Sequence, residues 1–217
     1  PRRLQGEEGA VQHQHETVEA EAEGEGRERA GGGGRLARGE VAALVDDPDD
    51  RIGEDGAEDA CRDEQEGDQP DPARDGAAEA VEVGRAVLAQ GGSALDAAEA
   101  AVRSLEDCAL FNAGRGAVLN TDGLVEMDAA VMDGQTRRAG ACAGVTRGRH
   151  AVSLARTIME TTPHVLIVGP SAEEIAGEHG LELEDPGWFV TDRERARHSE
   201  TSTHGTVGAV ALDASGN

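Results

Sequence analysis

The run His204-Gly205-Thr206-Val207-Gly208-Ala209-Val210-Ala211-Leu212 decides how the rest of the chain is read. From Thr206 to Leu212 the residues are small, β-branched or aliphatic and uncharged, which reads as a strand. Asp213-Ala214-Ser215-Gly216 then reads as a turn. Ahead of the strand, Arg193–Thr203 is polar and loop-like. A loop that passes through a glycine into a threonine heading an apolar strand is what a self-processing threonine needs. Gly205 lets the backbone bend sharply, so the Thr206 hydroxyl can reach the carbonyl before it. Attack there shifts the acyl group from N to O, and hydrolysis of the ester frees Thr206 as a new N-terminus. The freed α-amine, with a pKa near ~8, can serve as general base for its own hydroxyl. A Gly-Thr before a strand is also ordinary structure, so the run is weighed with what surrounds it.

Working outward, Ala77–Gln90 carries Ala80, Val83, Val87 and Leu88 at helical spacing, and Gly91-Gly92 stops it. Ser93 is a good N-cap for a second helix, Ala94–Asp107, whose Leu95, Ala98, Val102 and Leu105 form an inward stripe. Leu124–Met132 and Ala139–Thr146 are short, partly alternating runs bounded by Gly and Asp, hence strands. Val152–Glu160 reads as a helix, His164–Val168 as a fully apolar buried strand, and Ser171-Ala172-Glu173-Glu174 as a capping box opening a helix that ends at Gly180. This order fits a layered α+β or α/β domain. The carboxylates Glu126, Asp128 and Asp133 alternate with apolar residues, as on a solvated strand face.

Composition narrows the partners. Acidic residues number 44 against 20 basic ones, all arginine, and the net charge of −24 argues against nucleic acid and against an anionic membrane surface. No stretch approaches the roughly 18 apolar residues of a membrane helix and no apolar signal region follows Arg2-Arg3, so a soluble, cytoplasmic protein is expected. Aromatics are Phe111, Trp188 and Phe189, leaving a core of Ala, Val, Leu and Ile. Cys61, Cys108 and Cys142 form neither a disulfide framework nor a zinc pattern and read as idle thiols. Residues 1–76 hold 23 Asp/Glu, 9 Arg and few large aliphatics, and are expected to be mostly disordered, with 77–217 as the folded domain. Within them Val41–Val45 fits a helical turn or a strand, and His13 and His15 read as solvated rather than as metal ligands.

A series of motifs then carries a resemblance. Ala80–Gly84, Ala86-Val87-Leu88, Gly91–Ala97, Leu110-Phe111-Asn112-Ala113-Gly114-Arg115-Gly116, Met132-Asp133-Gly134, Ala139-Gly140-Ala141, Thr162-Pro163-His164-Val165 and Gly205–Leu212 occur in one order and spacing over two-thirds of the chain. Together they resemble the plant-type L-asparaginases/isoaspartyl peptidases. The resemblance implies an αββα sandwich of the amino-terminal nucleophile hydrolase class, a threonine amidohydrolase, cleavage between Gly205 and Thr206, and a homodimer of αβ units. By position, Thr206 matches the nucleophile and Asn112 an asparagine beside it that helps position the reacting groups. Leu105, Glu106, Cys108, Phe111, Ala113 and Arg115 match a loop whose backbone carbonyls hold a structural sodium ion, a role that suits a hard cation. No organic cofactor is implied, and the substrate would be L-asparagine or an isoaspartyl peptide. A glycosylasparaginase-like enzyme is the near alternative, but it typically has Asp where Gly205 stands.

Two departures from the pattern bear on function. The family's opening strand and His-Gly-Gly-Ala-Gly motif have no counterpart in residues 1–76. The substrate-gripping Arg–Asp pair, a second threonine and the Thr-Gly-Gly oxyanion segment do not appear before Asn217. The fold is therefore expected to be incomplete in this chain, and the chain alone inactive. An inactive remnant with an acidic interaction tail is the alternative from a different class.

Overall fold

In a computed structural model, residues 16–19, 36–45, 72–198 and 205–217 are described. They form a mixed α+β arrangement of two three-stranded sheets with helices packed against them. The first sheet, ordered β1-β2-β6, joins β1 (Glu16–Glu19), β2 (Glu40–Val45) and β6 (Val207–Leu212), all antiparallel. The second, ordered β3-β4-β5, joins β3 (Met127–Met132) and β4 (Ala139–Val145) antiparallel, and β4 to β5 (Leu166–Val168) in parallel. A parallel neighbour needs a crossover, and α3 (Ala151–Thr161) supplies it. Helices α1 (Pro72–Ala89) and α2 (Ala94–Asp107) pack on the first sheet. Helix α3 packs on β3 and β4, followed by α4 (Pro170–Glu178), α5 (Pro186–Phe189) and α6 (Asp192–Arg197).

Because the chain has almost no aromatic bulk, small residues let the layers approach closely. Ala77, Ala80 and Val81 of α1, Ala97, Ala101 and Leu105 of α2, and Val41 and Ala43 of β2 make one core. Cys142 and Val145 of β4, Leu154, Ala155 and Ile158 of α3, and Phe189 of α5 make the other. The expected α2 stripe divides: Leu105 turns into the core beside Ala97 and Ala101, whereas Leu95, Ala98 and Val102 stay half-buried and line a cleft described below.

Several elements depart from expectation. The boundary expected at Gly76 falls inside α1, which starts at Pro72, and Val41–Val45 lies in a strand whose Val41 and Ala43 are buried. A short apolar patch flanked by acids can be ordered when a neighbouring strand and helix cover it, as β6 and α1 do here. His13, His15, Cys61 and the remaining residues of 1–76 lie outside the described residues. The strand expected to be buried at His164–Val168 is an edge strand. Val165, Leu166 and Val168 are 61%, 54% and 57% exposed, because only Ile167 packs against the core. Helix α4 begins at Pro170 with Gly169 as its cap, not at a capping box on Ser171. The Glu173 carboxylate accepts instead from the Thr146 N–H and hydroxyl and the Arg147 N–H. Part of the polar stretch after Arg193 is helical, since the Thr191 hydroxyl accepts from the Glu194 N–H and caps α6.

The cap of α2 follows the sequence closely. The Ser93 hydroxyl accepts from the Asp96 N–H at 3.1 Å, and the Asp96 carboxylate accepts from the Ser93 N–H at 3.1 Å. The Ser93 hydroxyl, with Arg156 further along, holds the Asp96 carboxyl below the usual range. A depressed carboxylate contributes stability at neutral pH that is lost as pH falls through its folded pKa. Ser93→Ala should therefore cost about 1 kcal/mol in urea unfolding at pH 7. The difference from the unsubstituted chain should shrink when the titration is repeated in acid.

Candidate functional site

Helix α2 ends at Asp107, and the chain then turns tightly through Cys108–Ala113 into a 3₁₀ turn at Gly114–Gly116. The Cys108 N–H donates to the Leu105 carbonyl at 3.2 Å, and the Ala113 N–H donates to that of Phe111 at 2.9 Å. The Gly116 N–H donates to the Ala113 carbonyl at 3.0 Å. Two close approaches require glycine. A Cβ on Gly114, whose φ is +49°, would lie 2.3 Å from the Glu106 carbonyl oxygen, and one on Gly116 would lie 2.2 Å from that of Phe111. Inside this turn the Asn112 side chain faces two backbone groups. Its Oδ1 accepts from the Val118 N–H at 2.8 Å, and its Nδ2 donates to the Gly205 carbonyl. Thr206, the next residue, is exposed at the entrance to β6. The structure thus brings Asn112 together with Gly205 and Thr206, from two distant parts of the chain.

These residues line a cleft of ≈ 650 Å³ whose walls are β6 and β3 and whose floor includes Leu95, Ala98 and Val102 of α2. Strand β6 ends the first sheet's order and β3 ends the second's, so each borders the cleft as an edge strand. Glu126 and Asp128 are exposed along this wall, and Asp128 accepts from the Gly144 N–H at 2.8 Å. Asp133 sits in a turn, where the Thr136 hydroxyl and the Gln135 N–H hold its carboxyl low. None of the three pairs with another carboxylate, in keeping with a solvated strand face.

The six residues matched to a sodium loop form one continuous stretch from the last turn of α2 to the 3₁₀ turn. Glu106 does more than its carbonyl role suggests. Its side chain is 4% exposed, its Oε1 accepts from the Val152 N–H at 3.0 Å, and its Oε2 lies 3.3 Å from His150 Nδ1. Neither Oε2 nor Nδ1 has another partner among the described residues. The two atoms face each other across 3.3 Å in a buried setting. Burial pushes the Glu106 carboxyl above its ordinary range. Among the described residues, no group of three or more His, Cys, Asp or Glu side chains could hold a metal ion, and no helix is long and apolar enough to cross a membrane. Burial also pushes the Cys142 thiol up to about 12, which makes it inert at neutral pH.

Residues 53–203 match the Asparaginase_2 family, described as asparaginase, and the chain belongs to that family. The match begins upstream of the boundary expected at Gly76. The isoaspartyl peptidase of Salmonella typhimurium LT2 is 47% identical over 157 residues, covering 64% of this chain and 50% of that protein. The isoaspartyl peptidase of Escherichia coli K12 is 45% identical over 155 residues, 63% and 48% of the two chains. The human isoaspartyl peptidase/L-asparaginase is 43% identical over 163 residues, 69% and 53%. The chain spans about half the length of these relatives.

Two features escaped the sequence reading: the side-chain role of Glu106, and the packing of Trp188 and Arg193 on the Asn112 turn. The turn itself yields a testable consequence. Asn112→Leu removes both side-chain hydrogen bonds and leaves the Val118 N–H without its acceptor. It should destabilise the protein by about 1–3 kcal/mol in denaturant titration.

Proposed function

We propose that this chain is the α part, with the first strand of the β part, of a self-activating threonine amidohydrolase that hydrolyses L-asparagine, isoaspartyl peptides or both. The observation that carries this reading is the Asn112 amide on the Gly205 carbonyl, the group preceding an exposed Thr206. Thr206 Oγ attacks the Gly205 carbonyl carbon. Negative charge builds on the carbonyl oxygen, where Asn112 Nδ2 already donates, so the amide stabilises the transition state as an oxyanion donor. The C–N bond breaks, the nitrogen takes the hydroxyl proton, and Gly205 is left esterified to Oγ. Water then hydrolyses the ester to a Gly205 carboxylate and a free Thr206.

The same hydroxyl next acts on substrate. The Thr206 α-amine takes its proton, Oγ attacks the substrate's β-carbonyl, and the proton passes to the departing ammonia or peptide amine. Water releases aspartate from the acyl-enzyme. Self-cleavage concerns residues of this chain, whereas substrate hydrolysis belongs to the whole protein. The names of the relatives, isoaspartyl peptidase and L-asparaginase, support this substrate class.

We also propose that the whole protein completes an αββα sandwich and works as a homodimer of αβ units. The edges of β3 and β6 along one cleft, and the exposed Met132, Leu166 and Val168, are surfaces that further strands would cover. A structural sodium ion fits the turn from Leu105 to Arg115, since its donors would be the carbonyl oxygens of Leu105, Glu106, Cys108, Phe111, Ala113 and Arg115. Glycine at 114 and 116 keeps a Cβ from striking the Glu106 and Phe111 carbonyls. The ion would brace the turn and take no part in bond making.

Intact mass spectrometry of the full-length protein under denaturing conditions tests the reaction. Two polypeptides are expected, the second beginning at Thr206, and Thr206→Ala should leave one. Asn112→Asp, which keeps an acceptor for Val118 but loses the donor, should slow cleavage by about 10²–10³. A single uncut wild-type chain would sink the proposal. For the ion, thermal unfolding in sodium chloride is compared with choline chloride at equal ionic strength. A Tm that climbs with sodium alone is expected from mass action, and identical curves would refute a sodium site.

A further inference from the structure

We infer that the segment Asp185–Arg197 is an internal clamp on the Asn112 turn, with Trp188 and Arg193 as positioning residues for self-cleavage. This inference rests on the self-cleaving reading above. The chain has three aromatic residues, and all of them lie at this junction. Phe111 belongs to the turn, 3% exposed in the first core, and Phe189 is fully buried in the second. The Trp188 ring meets that of Phe189 edge-on, centroids 5.1 Å apart at 87°. The Arg115 guanidinium lies 5.2 Å from the Trp188 centroid and that of Arg149 lies 5.3 Å from it. Arg149 is itself fixed by Asp107 at 3.1 Å and Glu182 at 2.9 Å, so the indole is set against a braced cation. Further along, Arg193 Nη1 donates to the Leu110 carbonyl at 2.5 Å.

The two contacts fall on either side of Asn112. Leu110 precedes it and Arg115 follows it, so the clamp grips both limbs of the turn whose middle residue holds the Gly205 carbonyl. The clamping segment is also the stretch of chain that leads toward Gly205. The residues that set the position of the donor therefore precede, in the same stretch of sequence, the bond that the donor activates. Self-cleavage needs the hydroxyl, carbonyl and amide in register, and a displacement of about 1 Å in such an arrangement can cost 10²-fold in rate.

The test follows cleavage in the full-length protein by intact mass over time, alongside hydrogen exchange at the Val118 N–H, which reports the Asn112 side chain whether or not the chain is cut. Trp188→Ala and Arg193→Ala should each cleave about 10- to 10²-fold more slowly and exchange the Val118 N–H faster. Trp188→Phe and Arg193→Lys, which keep a ring and a donor, should recover most of the rate, as loss of a merely structural contact would not predict. Cleavage within twofold of wild type in both alanine variants, with Val118 protection unchanged, would overturn the clamp. Should the wild type stay uncut, the self-cleaving reading fails by itself. Val118 exchange then decides the clamp: faster in the variants supports it, unchanged overturns it.

Discussion

The Asn112 side chain is the contact on which the candidate site depends, because it joins two backbone groups that lie far apart in the chain. A carboxamide can donate and accept at once, and here Oδ1 takes the Val118 N–H while Nδ2 gives to the Gly205 carbonyl. Aspartate would supply only the first half and leucine neither. The turn around it has little freedom to adjust. Glycines at 114 and 116 sit where a methyl group would strike a carbonyl, and Phe111 is anchored in the core beside it. The carboxamide is thus presented by a backbone already fixed, which is what lets one hydrogen bond set a geometry.

Much of this was legible in the sequence where local chemistry decides. The Ser93 cap and the span of α2 are as read, because hydroxyl, carboxylate and helical spacing all agree there. The strand read at Thr206–Leu212 is β6, which starts one residue later at Val207, and the Asn112 turn lies beside it. Reading failed where tertiary context decides. Leu166 and Val168 look like core residues in any one-dimensional pattern, yet β5 lies at a sheet edge and presents them outward. The charged run from Asp192 to Arg197 looks like loop, yet Thr191 starts a helix and Glu194 is buried at 4% exposure beside Arg197. Trp188 gave no signal of its partners, since cation–π contacts to Arg115 and Arg149 join residues far apart in sequence.

Glu106 illustrates how one residue can serve two elements. Its backbone lies in the last turn of α2, while its carboxylate receives the Val152 N–H near the start of α3, a helix whose own cap residue, His150, makes no side-chain cap bond. A carboxylate at a helix N-terminus satisfies an otherwise orphaned donor and opposes the positive end of the dipole. The cost is desolvation, visible in the raised pKa, and His150 Nδ1 at 3.3 Å offsets part of it. The turn that carries Asn112 is thereby tied at its root to the second sheet's helix.

The α2–α3 junction shows why polar ties carry this weight in so acidic a chain. Alanine-rich helices leave little apolar surface for a helix pair to share, and the junction is held instead by Arg156. Its guanidinium meets Asp96 at 2.7 Å, Glu99 at 2.7 Å and Glu160 at 2.8 Å. Exposed ion pairs taken singly contribute about 0–1 kcal/mol. A fork that engages three carboxylates at once differs from three separate pairs, because its side-chain entropy is lost once and mutual repulsion among the acids is relieved together. With 44 acids sharing 20 arginines, such hubs are the economical way to neutralise charge, and Arg149 makes a second one with Asp107, Glu182 and Glu184. One hub fastens α2 to α3 and the other sets the ring that holds the Asn112 turn. The arginines that offset clustered acids at these junctions therefore also brace the elements that carry the site.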